Sequence, residues 1–203
     1  LNIRLNGNTY KSKYGGFGEA LANLNEAYKK DSSVDSKMNL NSMVQYQDGE
    51  SSTALFAVRS LGIDPATGKE VFLTKNGTPT FDYSADDRVK VADTNPTIRG
   101  VLGLSFTYKN LQASLNIRDN FGSYAFNNAL FNKVENISAS NIAKNQDKRA
   151  LYDRWQNPGD IAQYKGISLT TNTPISSRFV QRDNYIRGES ARLTWDFSKD
   201  KWI

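Results

Sequence analysis

The chain has 203 residues, 38% of them hydrophobic, with 26 basic and 21 acidic side chains, a net charge of +5 and a mean hydropathy of −0.61. No stretch approaches the roughly 18 consecutive apolar residues of a membrane-spanning helix, so only strands could carry this chain across a bilayer. Cys and His are both absent, which excludes disulfides, thiol and imidazole catalysis and His-carboxylate metal sites.

Residues 1–10 open the chain with Leu1, Ile3 and Leu5 alternating against Asn2, Arg4, Asn6 and Asn8, the period of a strand with one apolar face. The interval 11–96 is long. Phe17, Leu21, Leu24 and Tyr28 recur at helical spacing and predict an amphipathic helix over 18–30. Gly15-Gly16-Phe17-Gly18 precedes it, but without the glycine spacing or the Lys-Ser/Thr of a phosphate loop it reads as a flexible joint. Short strands are expected over 40–46 and 53–61, with a turn at Asp64-Pro65-Ala66-Thr67-Gly68, residues 70–74 leading away from it, and a further turn at Asn76-Gly77. Asp82, Asp86 and Asp87 cluster in a polar segment, at a spacing that matches no calcium loop.

The clearest pattern runs over 97–120. Ile98, Gly100, Leu102, Leu104, Phe106 and Tyr108 alternate with Arg99, Val101, Gly103, Ser105 and Thr107. After the tight link Lys109-Asn110, Leu111, Ala113, Leu115 and Ile117 alternate with Gln112, Ser114, Asn116 and Arg118. This predicts a hairpin of strands 97–108 and 111–121, each about as long as a tilted strand that crosses a bilayer. A second long interval follows over 122–184. Within it Leu151, Tyr152 and Trp155 share a possible helical face, Pro158-Gly159-Asp160 ends the segment, and Arg178, Phe179 and Arg182 are placed to brace the outer end of the next strand.

A fourth strand is read over 185–197, with Ala191, Leu193, Trp195 and Phe197 on its apolar side. Glu189 falls on that apolar count and would have to lie near an interface or under cover. A short polar link at 198–201 leads to a further strand at 201–203, so both ends of the chain are expected to be cuts through a larger protein. Tight links alternating with long excursions are the asymmetry of a membrane barrel, with short turns on the periplasmic side and long loops outside.

Charge and aromatics suggest the candidate sites. The basic residues are dispersed, without runs or aromatic interleaving, so no nucleic-acid partner is expected. Tyr124, Tyr152, Trp155 and Tyr164 sit in or near the second loop, where aromatics could grip a sugar or a peptide. Arg99, Gln112, Asn116 and Arg118 would form a polar wall on the inner side of the hairpin.

Four blocks resemble one family. They are SLGIDPATGKEVF (60–72), TIRGVLGLSFTYKNLQASLNI (97–117), DRWQNPGDIAQY (153–164) and SSRFVQRDNYIRGESARLTWDFS (176–198), which resemble the C-terminal part of SusC/RagA-type TonB-dependent outer-membrane transporters. The resemblance implies an all-β fold, namely a segment of an antiparallel, plugged transmembrane barrel of about 22 strands, with long extracellular loops carrying short helices. It implies a location in the outer membrane of a Gram-negative bacterium, typically of the Bacteroidetes. The implied partners are the rest of the barrel, the lipid bilayer, a SusD-like surface lipoprotein, and TonB through a plug domain absent from this stretch. The implied cargo is an oligosaccharide or peptide, moved without chemistry, and neither enzyme activity nor a cofactor is expected. The strand near Gly188-Glu189-Ser190 departs from the family's pattern. The other reading of the residues is a soluble all-β module that binds carbohydrate or acts in adhesion through its loop aromatics.

Overall fold

Two antiparallel four-stranded sheets dominate the fold, each within its own compact unit. The computed structural model describes residues 1–30 (backbone only for 28–30), 43, 45–168 and 171–197. Its strands are β1 (Asn2–Asn8), β2 (Ala54–Ile63), β3 (Glu70–Leu73), β4 (Pro79–Thr80), β5 (Arg88–Asp93), β6 (Ile98–Tyr108), β7 (Leu111–Phe121), β8 (Tyr124–Phe126), β9 (Val180–Arg182) and β10 (Tyr185–Trp195). Among the described residues two α-helices, α1 (Glu19–Lys30) and α2 (Arg149–Tyr152), join them. β8 and β9 pair as a separate two-stranded ribbon.

The first unit comprises Leu1–Ser12, Thr94–Tyr124 and Arg182–Ile203 and contains the sheet β1-β6-β7-β10. The register puts like on like. Leu5 faces Leu102, which faces Ile117; Ile3 faces Leu104, which faces Leu115 and then Ala191. One face is therefore apolar across all four strands, with Asp119, opposite Gly100 and Ile186, the one charged side chain on it. It has no protein cover within the unit: Leu5 is 75% exposed and Leu193 73%. The β6–β7 link turns at Lys109, whose φ of 50° occupies the first central position, where two-residue hairpins of the II′ kind require a positive φ.

β10 corrects the reading of Glu189. The pairing with β7 shifts between Gly188, opposite Ile117, and Ser190, opposite Asn116, so Glu189 is the extra residue of a β-bulge. A bulge switches side-chain parity. Ile186 at an even position and Ala191 and Leu193 at odd positions thus share the apolar face, while Glu189 pairs at 2.5 Å with Arg118 of the polar face. No carboxylate is left on the apolar register at 189.

The second unit, Lys13–Asp93 and Ala125–Gln181, contains the sheet β4-β3-β2-β5 and a true core. β2 is its centre: Ala54, Leu55, Phe56, Ala57 and Val58 are each at most 8% exposed. Against them pack Leu130, Phe131 and Val134 from a six-residue π-helix, together with Ile137, Ala150, Tyr164, Ile175 and Phe179. The segment before β9 runs beside β2, with a parallel bridge between Val58 and Ser176. Phe126, Phe131 and Phe179 form a tilted and edge-to-face trio with centroids 5.1–6.1 Å apart, a geometry that aromatic quadrupoles favour.

Several local expectations change in this unit. The Gly16–Gly18 joint is tied down, because the Asp48 carboxylate accepts from Phe17 N and Gly18 N at 3.1 and 2.8 Å and occupies the anion seat before α1. The helical face expected for Leu151 and Tyr152 is solvent instead: they are 58% and 76% exposed, and the single turn α2 buries Ala150. Arg178 and Phe179 brace no strand end; they belong to the core of the second unit. Of the strand expected at 40–46, residues 43, 45 and 46 are in no strand, and residues 40–42 and 44 lie outside the described residues, as do the link at 198–201 and the strand at 201–203.

Candidate functional site

Two surfaces have the chemistry to meet a solute, one in each unit. In the first unit the register places Arg99, Gln112, Asn116 and Arg118 on the same polar face. Cross-strand neighbours build that face in rows: Asn8–Arg99–Asn120–Tyr185, then Asn6–Val101–Arg118–Arg187, Arg4–Gly103–Asn116–Ser190, and Asn2–Ser105–Ser114–Arg192. Asn116 reaches across Gly103, where a Cβ would stand 3.0 Å from its Oδ1, and donates to Ser190 Oγ at 2.9 Å. Asn120 is buried, and its amide donates to Ser123 Oγ at 2.6 Å and to Asp183 O at 3.1 Å, closing one end of the sheet. Tyr124, in the same unit, accepts from Arg182 Nε at 3.2 Å.

In the second unit an open cleft of about 370 Å³ is lined by Gly68, Lys69, Phe72, Phe81, Trp155 and Lys165, among others. A second cleft of about 380 Å³ lies along Ala150, Arg154, Trp155, Gln156 and Ile167. Trp155 is common to both. Two loops separated by some ninety residues hold it: its Nε1 donates to Pro65 O at 2.9 Å, and Gly159 N donates to the same oxygen at 2.8 Å. The indole lies flat on Gly68, where a Cβ would meet Cδ2 at 2.4 Å, and the Gly68 φ of +69° also suits glycine. Asp64 shapes that turn. The Thr67 hydroxyl donates to its carboxylate at 2.6 Å and holds the acid below the usual carboxylate range.

Of the other aromatics expected to face a ligand, Tyr152 is open to solvent. Tyr164 is 5% exposed. It joins Trp155 only through the backbone, where Trp155 N donates to Tyr164 O at 2.9 Å, and burial pushes its phenol pKa up. Its ring packs within the core.

A buried ionic cluster supports this region. Arg178 donates to Glu70 at 3.0 Å and to Glu135 at 2.7 Å, and to Gln163 O at 2.6 Å. Ser176 donates to Glu70 at 2.5 Å and Thr173 to Glu135 at 2.9 Å. Burial opposes the Arg178 charge, but the two carboxylates outweigh it and raise its pKa. Arg154, also buried, has no carboxylate hydrogen bond and spends its donors on the Ala150, Val134 and Lys165 carbonyls. Desolvation lowers its pKa and that of Lys165. The cluster was not anticipated: Glu70, Glu135 and Arg178 are far apart in the chain, and only the structure brings them together. Among the described residues no group of three or more Asp and Glu is arranged to hold a metal ion.

No known family model matches this sequence, and no curated protein matches it. Solved structures do. The chain is similar to the RagAB peptide transporter at 19% identity and a TM-score of 0.59, over 75% of this chain and 16% of that one. It is similar to the RagAB peptide importer in its closed-closed state at 19% identity and a TM-score of 0.58, and in its open-open state at 18% and 0.61. In each case this chain spans no more than 17% of the matched chain. The likeness is one of fold: this mostly antiparallel β chain has the fold of one portion of each matched structure.

Proposed function

We propose that the chain is a wall-and-loop segment of a TonB-dependent outer-membrane transporter of the SusC/RagA type, importing oligomeric nutrient together with a surface lipoprotein. The observation that carries this reading is the first unit's sheet, polar on one face and, apart from Asp119 near one end, apolar on the other. Strands of 11 residues rise about 36 Å, and a tilt near 45° brings that to about 25 Å, the height of a barrel's apolar band. Leu5, Leu104, Leu115 and Leu193 then face lipid, and Arg99, Gln112, Asn116 and Arg118 face the lumen. Four strands leave open edges that lipid cannot satisfy, so the remaining strands come from the rest of the barrel. The second unit is the extracellular part, presenting the Trp155 cleft to cargo or to the lipoprotein lid. The likeness to a peptide transporter favours peptide over glycan as cargo.

Uptake and co-purification test this together. The full-length protein, extracted from outer membranes in mild detergent, is expected to bring down a surface lipoprotein. Cells that make it are expected to lose uptake of short peptides when the proton-motive force is collapsed. A protein found only in soluble fractions, binding oligosaccharide without any lipoprotein, would instead establish the adhesion or carbohydrate-binding module.

A further inference from the structure

The charge of this chain is not shared between its units. The first unit has ten Lys and Arg against five Asp and Glu, and the second has sixteen of each, so the whole excess of +5 belongs to the first. Within that unit the polar face of the sheet concentrates it. Arg4, Arg99, Arg118, Arg187 and Arg192 all lie on that face, with no Lys among them. The one acid on that face within the paired strands is Glu189, brought there by the bulge, and Glu189 is taken by Arg118.

The other four guanidinium groups form no ion pair among the described residues. Arg187 stands directly opposite Arg118, with its guanidinium over the Tyr185 ring, 5.4 Å from the centroid. Arg192 donates to Thr194 Oγ1 at 3.2 Å. Like charges directly opposite destabilise a sheet, and an arrangement that keeps them has its counter-charge elsewhere. Each of the four successive rows contains one unneutralised Arg and at least one Asn: Arg99 with Asn8, Arg187 with Asn6, Arg4 with Asn116, Arg192 with Asn2. Rows on one face are about 7 Å apart, so the ladder is about 20 Å long. Guanidinium forks match carboxylates bidentately, and amide side chains offer both a donor and an acceptor to a peptide backbone.

We propose that this face is a cation ladder that selects acidic peptides as cargo, passing side-chain carboxylates from row to row. The inference rests on the transporter reading, in which the polar face lines the lumen. Its test uses the full-length protein in cells, with two isosteric heptapeptides built from Ala and either Glu or Gln. Uptake of the Glu peptide is expected to exceed that of the Gln peptide about tenfold at low salt and to converge with it at high salt, as a screened interaction must. The triple substitution Arg99→Gln, Arg187→Gln, Arg192→Gln is expected to abolish that ratio while Gln-peptide uptake persists, and the triple Arg→Lys change at the same sites is expected to keep most of it. Equal loss of both peptides in the Gln variant would overturn the proposal and assign the ladder to an acidic surface of the plug. An unchanged ratio would also overturn it. Absence of uptake for every peptide in the unsubstituted protein would instead defeat the transporter reading beneath it.

Discussion

The two units solve the problem of apolar surface in opposite ways. The second hides it: β2 is buried on both faces, and Val134 and Phe179 are 0% and 1% exposed. The first leaves it open, with Leu1, Ile3, Leu5, Ile186 and Leu193 all more than 60% exposed. A chain that buries one set of side chains this well leaves another set bare along one sheet face. On the transporter reading proposed above, water surrounds the second unit, and lipid is the medium in which the first unit's bare face ceases to be a liability.

The sharpest way to break this contrast is to remove charge from the buried cluster. Arg178→Met leaves Glu70 and Glu135 without their cation and is expected to destabilise the second unit by about 3–5 kcal/mol; urea unfolding followed by tryptophan fluorescence measures it. Phe179→Ala opens a cavity against Phe126 and Phe131 and is expected to cost about 3–5 kcal/mol. The matching truncation in the first unit, Phe106→Ala on the apolar face, is expected to change stability in detergent by under about 1 kcal/mol. Comparable losses at Phe179 and Phe106 would erase the difference between the units.

Smaller changes sharpen it. Gly68→Ala drives a methyl into the Trp155 ring at a positive φ, and a cost of about 1–3 kcal/mol is expected, with a red-shifted Trp155 emission. An unshifted spectrum would show that the indole does not rest on that turn. The smallest effect is at Asp147. Its carboxylate accepts from the Arg149 side chain and backbone, which hold its pKa at about 2 against a usual 3.8. A depressed acid contributes fully above its unfolded pKa and loses that contribution as pH falls through the folded one. Protease resistance of residues 141–157 is therefore expected to decline between about pH 4 and pH 2, and Asp147→Asn is expected to remove that dependence.

The first unit was largely legible because a strand's period of two needs only local sequence. β6 and β7 are marked by their alternation and by Lys109-Asn110 between them. The bulge was hidden by counting straight through Glu189. The clue was that Ile186 and Ala191, an odd number of residues apart, are both apolar. In the second unit β2 was legible as the apolar run 53–61, but its partners were not, because Leu130, Phe131 and Val134 sit in a single π turn too short to show a period. Its ion pairs join residues 108 and 43 positions apart, and local patterns contain no such pairing. Trp155 stood out as an aromatic in a loop. What the sequence could not show was that the Asp64–Gly68 turn is the surface it rests on.

The central claim is that odd and even positions of β7 meet different media. Single cysteines placed along β7 in the full-length protein, in native outer membranes, test it directly. A bilayer-dissolved thiol reagent is expected to label Ala113→Cys, Leu115→Cys and Ile117→Cys, and a water-soluble one Gln112→Cys, Ser114→Cys and Asn116→Cys. Labelling without that alternation, or with its parity reversed, would contradict the account.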